Sequence, residues 1–146
     1  YGRTLSGMSL FPVTAPSVAN PAPQTSPCLE YKMYLFDPGK ADVWAVIGPT
    51  LDFIPGRGLR FAVSFDDAPP QIVEALPEGS RYTSRDWQNS VRDSVRWIKS
   101  AHTVSGAGYH TLKIWMVDPA VVLEKIVVDL GGMKPSYLGP PESYRH

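Results

Sequence analysis

Short runs of alternating apolar and polar residues recur along the chain, the period of a half-buried strand. In "LEYKMYLF", Leu29, Tyr31, Met33 and Leu35 fall on one face, and Glu30, Lys32, Tyr34 and Phe36 on the other. In "YHTLKIWMV", His110, Leu112, Ile114 and Met116 oppose Tyr109, Thr111, Lys113, Trp115 and Val117. Both faces of that second run turn apolar near its end, as expected of an inner or covered strand. Further strand-like runs lie at 43–47, 59–65, 71–75, 95–104 and 123–130. Fifteen prolines and twelve glycines break the chain about every ten residues, in stretches such as "FDPGKAD", "IPGRG", "LPEGS" and "LGGMKP". Short strands with turn signals at this spacing predict an antiparallel β-sandwich or barrel.

Two stretches depart from the strand period. "SRDWQNSVRDSV" spaces Trp87, Val91 and Val95 four apart, which predicts a short helix with Ser84 or Asp86 near its N-cap. "VSGAGYHTLKIW" reads as a hairpin turning on Gly106 and Gly108, and it would let His102 and His110 face each other. Residues 1–27 read as a leading strand, "GMSLFPVTA", followed by a Pro-rich connector. Residues 131–146 lack periodicity and read as an extended C-terminal arm held to the body by Tyr137 and Leu138.

With 146 residues, the chain suits one domain, 1–146, with a real core. Fourteen basic and fourteen acidic residues cancel, which argues against nucleic acid as a partner. The single cysteine, Cys28, excludes an intrachain disulfide and a thiolate metal site, and its apolar surroundings suggest a small buried hydrophobe. No run approaches the ~18 apolar residues of a membrane span. No signal peptide is visible, and the start at Tyr1 suggests a piece of a longer chain.

Candidate chemistry is sparse. Asp66 and Asp67 are adjacent carboxylates, but neighbours on an extended chain point to opposite faces and cannot flank one scissile bond. A turn closed by Pro69-Pro70 is the simplest role for them, with calcium as a minority alternative. His102, His110 and the terminal His146 do not make a metal set. There is no nucleophile elbow, phosphate loop or zinc spacing. Trp87 and Trp115 are expected in or near the core, whereas Trp44 and Trp97 are candidates for exposure.

The segments "YGRTLSGMSLFPVTAPS", "SPCLEYKMYLF", "GLRFAVSFDDAPPQIV" and "GYHTLKIWMVDPAVVLEKIVVDLGGMKPSYLGPPES" resemble the C-terminal domain of glycoside hydrolase family 115. The resemblance runs from Tyr1 to Ser143, and the family has Gly where this chain has Ala120. Members are large α-glucuronidases that act on xylan side chains and whose catalytic residues lie upstream of this domain. The resemblance therefore implies no catalytic residue and no cofactor here. It implies an all-β, jelly-roll antiparallel sandwich shaped like a carbohydrate-binding module. Its partners would be the upstream catalytic domains and glucuronoxylan, in a parent expected to be extracellular or periplasmic. On that basis Trp44 is a stacking candidate, with Lys40, Arg57 or Arg85 pairing a uronate carboxylate and Asp66 and Asp67 as loop-end contacts. The alternative is a structural domain that packs on its parent through apolar terminal segments without binding sugar.

Overall fold

The computed structural model describes residues 2–52, 54–76 and 81–144, so the turn expected within 77–80 and His146 lie outside the described residues. Seven strands and one helix follow in the order β1 (Cys28–Leu35), β2 (Gly39–Ile47), β3 (Leu59–Phe65), β4 (Gln71–Leu76), α1 (Arg85–Asp93), β5 (Arg96–Val104), β6 (Gly108–Met116) and β7 (Leu123–Asp129). They form a four-stranded sheet, β1-β6-β3-β4, and a three-stranded sheet, β5-β2-β7. The antiparallel pairs β1·β6, β2·β5 and β3·β4 are nested one inside the next. That is a long hairpin rolled over on itself, the wrapping of a jelly roll. β3 also pairs with β6, and β7 joins the free edge of β2.

Alternation decides which face goes in. Along β2, Ala41, Val43, Ala45 and Ile47 are buried, while Lys40, Asp42 and Trp44 point outward. Leu59, Phe61, Val63 and Phe65 of β3 meet them from the other sheet, with Leu112 and Ile114 of β6. β3 is buried on its outer side as well. There Ala62 lies with Trp115 and Val117 in a second apolar cluster, against which Cys28 packs. The Pro-rich connector is tied down beside this cluster. The Val18 amide donates to the Val117 carbonyl, the Met116 amide to the Pro27 carbonyl, and the Ser26 hydroxyl to the Met116 carbonyl. Trp115 donates its indole N–H to Ser64 Oγ at 2.9 Å, which satisfies the only polar atom of a buried ring.

The short helix forms as expected. Ser84 is its N-cap and accepts the Trp87 amide, and Ser94 ends it in the left-handed conformation at φ 60.

Two expectations need correction. The leading strand is a single antiparallel bridge, Met8 to Leu123, because residues 2–8 lie beside β7 through little more than that one reciprocal pair of hydrogen bonds. The expected hairpin at 105–107 is a crossover between sheets: β5 pairs with β2, whereas β6 pairs with β1 and β3. His102 and His110 therefore do not form a cross-strand pair. His102 bonds Ser100 Oγ at 2.8 Å and meets the Phe65 ring edge-on.

One end of the sandwich is closed by a carboxylate. Asp118, whose side chain has 0% exposure, accepts from Arg60 Nε at 2.9 Å and Nη2 at 3.3 Å and from the Ser17 hydroxyl. Arg57 Nε approaches it at 3.9 Å. Burial alone would raise the Asp118 pKa, but the hydrogen bonds from Arg60 and Ser17 outweigh it and lower it. Two positions after Asp118, Ala120 holds φ 72, in the region that favours glycine.

Asp118→Ala leaves guanidinium groups beside an emptied buried site. Because the Arg60 side chain keeps 34% exposure, the loss should fall near the low end for a broken buried pair, about 3 kcal/mol in urea unfolding. Ala120→Gly relieves about 1–2 kcal/mol of left-handed strain and forfeits about 0.8 kcal/mol of buried methyl. A net gain of about 0.2–1.2 kcal/mol is expected in the same measurement.

Candidate functional site

The six residues singled out from the sequence do not converge. Lys40 and Trp44 lie four residues apart on β2, on the outer face of the three-stranded sheet. Arg57 lies in the connection from β2 to β3, beside Asp118, and Arg85 opens α1 on the surface. Asp66 and Asp67 sit at the other end, in the turn after β3.

Trp44 is half-buried and meets Trp97 edge-to-face with centroids 6.2 Å apart. Lys99 Nζ stands 5.5 Å over the Trp44 ring and pairs with Asp42 at 3.1 Å. The C-terminal arm covers Trp97. A side chain at Gly139, where φ is 75, would come within 2.8 Å of the indole. Lys125 Nζ holds the arm by the Leu138 and Pro140 carbonyls, each at 3.1 Å. The Arg3 guanidinium stacks on Tyr137 at 3.6 Å and donates to its carbonyl. The arm is thus caught largely by its backbone, and the Tyr137 and Leu138 side chains stay exposed.

The paired aspartates divide their work. Asp66 takes φ 50, a conformation that Asp tolerates better than most residues. Its Oδ1 accepts the Thr111 amide at 2.8 Å, and its Oδ2 accepts His110 Nδ1 at 2.7 Å. His110 Nε2 donates to the Gly106 carbonyl at 2.9 Å. One imidazole so ties the β3–β4 turn to the β5–β6 crossover. Asp67 points to solvent, 3.7 Å from Lys113 Nζ. Among the described residues, no group of three or more His, Cys, Asp or Glu is placed to hold a metal ion.

Cys28 borders a cleft of about 160 Å³ lined by Met8, Leu10, Leu29, Phe61 and Trp115. Burial raises its pKa, with the Glu30 charge adding to the effect, so it remains a thiol and not a nucleophilic thiolate.

An aromatic cluster that sequence reasoning passed over stands out on the surface. Tyr34, Phe36 and Tyr109 are 49%, 77% and 71% exposed. Tyr34 and Tyr109 are register partners on β1 and β6, with centroids 5.2 Å apart and planes at 87°. Phe36 meets Tyr34 at 5.1 Å and 64°. Lys32 Nζ lies 4.9 Å over the Tyr109 ring. The signal was in the alternation of "LEYKMYLF", which put Lys32, Tyr34 and Phe36 on one face.

A model of the Glycosyl hydrolase family 115 C-terminal domain matches residues 1–142. The chain belongs to this family. No curated protein matches it. Among solved structures, a family GH115 4-O-methyl-alpha-glucuronidase with specificity for decorated arabinogalactans is similar, with a TM-score of 0.61 and 24% identity. The match covers 72% of this chain and 13% of that one, so the GH115 C-terminal domain spans a small part of that protein's length. At this identity the likeness shows a shared fold.

The Asp66–His110–Gly106 bridge gives the GH115 C-terminal domain a defined pH dependence. The Asp66 hydrogen bond and the Gly106 carbonyl raise the His110 pKa above its ordinary value of 6.5. Its contribution to stability is therefore complete below that value and lost as pH rises through the folded-state pKa. Partial burial of Asp66 opposes its ionisation, but the His110 and Thr111 hydrogen bonds prevail and lower its pKa below 3.8. That contribution is complete above 3.8 and lost as pH falls through the folded-state value. The urea midpoint of His110→Gln should lie below that of the unsubstituted chain at pH 5.5, with a smaller gap at pH 9. A gap that does not change with pH would contradict the bridge.

Proposed function

We propose that this domain is a non-catalytic accessory module of a glucuronoxylan α-glucuronidase, and that it holds carbohydrate while upstream domains do the chemistry. The solvent-facing cluster of Tyr34, Phe36 and Tyr109 carries the reading. Three large rings left in water are unused by the core, and aromatic faces suit the C–H faces of pyranoses while Tyr hydroxyls meet their rims. The carboxylates that could have done acid–base work are engaged elsewhere, Asp118 with Arg60 and Asp66 with His110. A xylan chain or its uronic acid branch is the ligand class that fits such a parent. Trp44, Lys40 and Lys99 offer a second, smaller aromatic-and-cationic face for the same chemistry.

A second reading is structural. Leu5 and Phe11 on the N-terminal segment are exposed, as expected of a surface that packs on the parent's catalytic domains. Calorimetric titration of the chain with glucuronoxylan oligosaccharides separates the two. Saturable heat at millimolar or lower sugar is expected, and its absence at that concentration would leave the structural reading.

A further inference from the structure

We infer that the Tyr34–Phe36–Tyr109 ledge takes a glycan chain whose successive rings are turned against one another and which carries an anionic substituent beside Lys32. This rests on the carbohydrate-binding reading above and adds a ligand shape and the residue that meets the ligand's charge.

The shape follows from the ring planes. Tyr34 stands at 64° to Phe36 and at 87° to Tyr109. Rings set so steeply cannot all lie flat on one crystalline face. They can meet sugars that rotate from one residue to the next along a free chain. The edge-to-face contacts also hold the rings in place before any ligand arrives, which lowers the ordering cost of binding. The backbone beneath is fixed too. Tyr109 directly precedes His110, whose side chain is bonded at both nitrogens, and Tyr34 lies opposite Tyr109 in the β1·β6 ladder.

The charge follows from Lys32. Among the described residues its ammonium has no carboxylate within ion-pair distance and rests over the Tyr109 ring at 4.9 Å. The other charged side chains that the register puts on this face are Glu30, opposite Lys113 in the ladder, Lys113 itself, which leans toward Asp67 at 3.7 Å, and the register partners Arg60 and Glu74 on β3 and β4. Lys32 therefore stands over the Tyr109 ring of the ledge as a cation with no carboxylate partner among the described residues. A carboxylate on that sugar would gain a charged partner already in place.

The test titrates the 146-residue chain with an acid-substituted xylan oligosaccharide and with its neutral counterpart, and mixes it with microcrystalline cellulose in a pull-down. Phe36→Ala and Tyr109→Ala should each weaken binding of both soluble sugars about fivefold to tenfold. Tyr109→Leu, which keeps a bulky strand residue, should do the same if Tyr109→Ala melts early. Lys32→Met should erase the preference for the acidic sugar and leave the neutral affinity unchanged. Tyr82→Ala, at an exposed aromatic ahead of α1, should leave all of these intact, and cellulose should retain no protein.

Retention on cellulose, equal affinity of the unsubstituted chain for both sugars, or a preference that survives Lys32→Met would overturn the inference. Sugar binding lost only in Trp44→Ala would remove the ledge and leave the carbohydrate reading standing. No binding of any sugar would remove both.

Discussion

Each sheet has one face that must leave water, and the other sheet is the only surface large enough to cover it. The interlayer of Val43, Ile47, Leu59, Val63 and Leu112 meets that demand, and the remaining features are arranged around it. Because the pairs β1·β6, β2·β5 and β3·β4 are nested, every connection except the β3–β4 turn has to pass from one sheet to the other. The sandwich consequently has two ends where the chain crosses over and where main-chain polar groups must find partners outside the ladders.

Carboxylates serve both ends. Asp118 gathers Ser17 from the connector and Arg57 and Arg60 from around the start of β3, and so fixes the connector against the end of β6. Asp66 does the corresponding work at the opposite end with His110 and the Thr111 amide. A carboxylate with both oxygens engaged has little capacity left to activate water or hold a metal. The same residues that suggest chemistry on paper are consumed by architecture.

The aromatics are sorted by what the chain ends cover. The connector runs beside Trp115, and the C-terminal arm lies over Trp97. Trp87 is half-buried on the helix. Tyr34 and Phe36 at the end of β1 and Tyr109 at the start of β6 stay exposed, so this aromatic surface consists of smaller rings than the tryptophans. Exposure was decided by the paths of two irregular segments, not by any property of the rings.

The local alternation of "LEYKMYLF" and "YHTLKIWMV" was enough to place strands and faces, because a side chain's direction on a strand is set by its neighbours on the same chain. The helix and its Ser84 cap were legible for the same local reason. So was the turn after β3, although not the partners of Asp66. The left-handed backbone at Ala120, φ 72, was not read from the sequence. What the sequence could not decide was pairing across long separations. "VSGAGY" has the composition of a hairpin, yet its flanking strands belong to different sheets, because β5 gains more by pairing with β2 and β6 by lying between β1 and β3. The union of Asp66 with His110, of Asp118 with Arg57 and Arg60, and of Tyr34 with Tyr109 depends on that choice. Such contacts form only once the sheets are assembled, and no short stretch of sequence carries the energy that selects them.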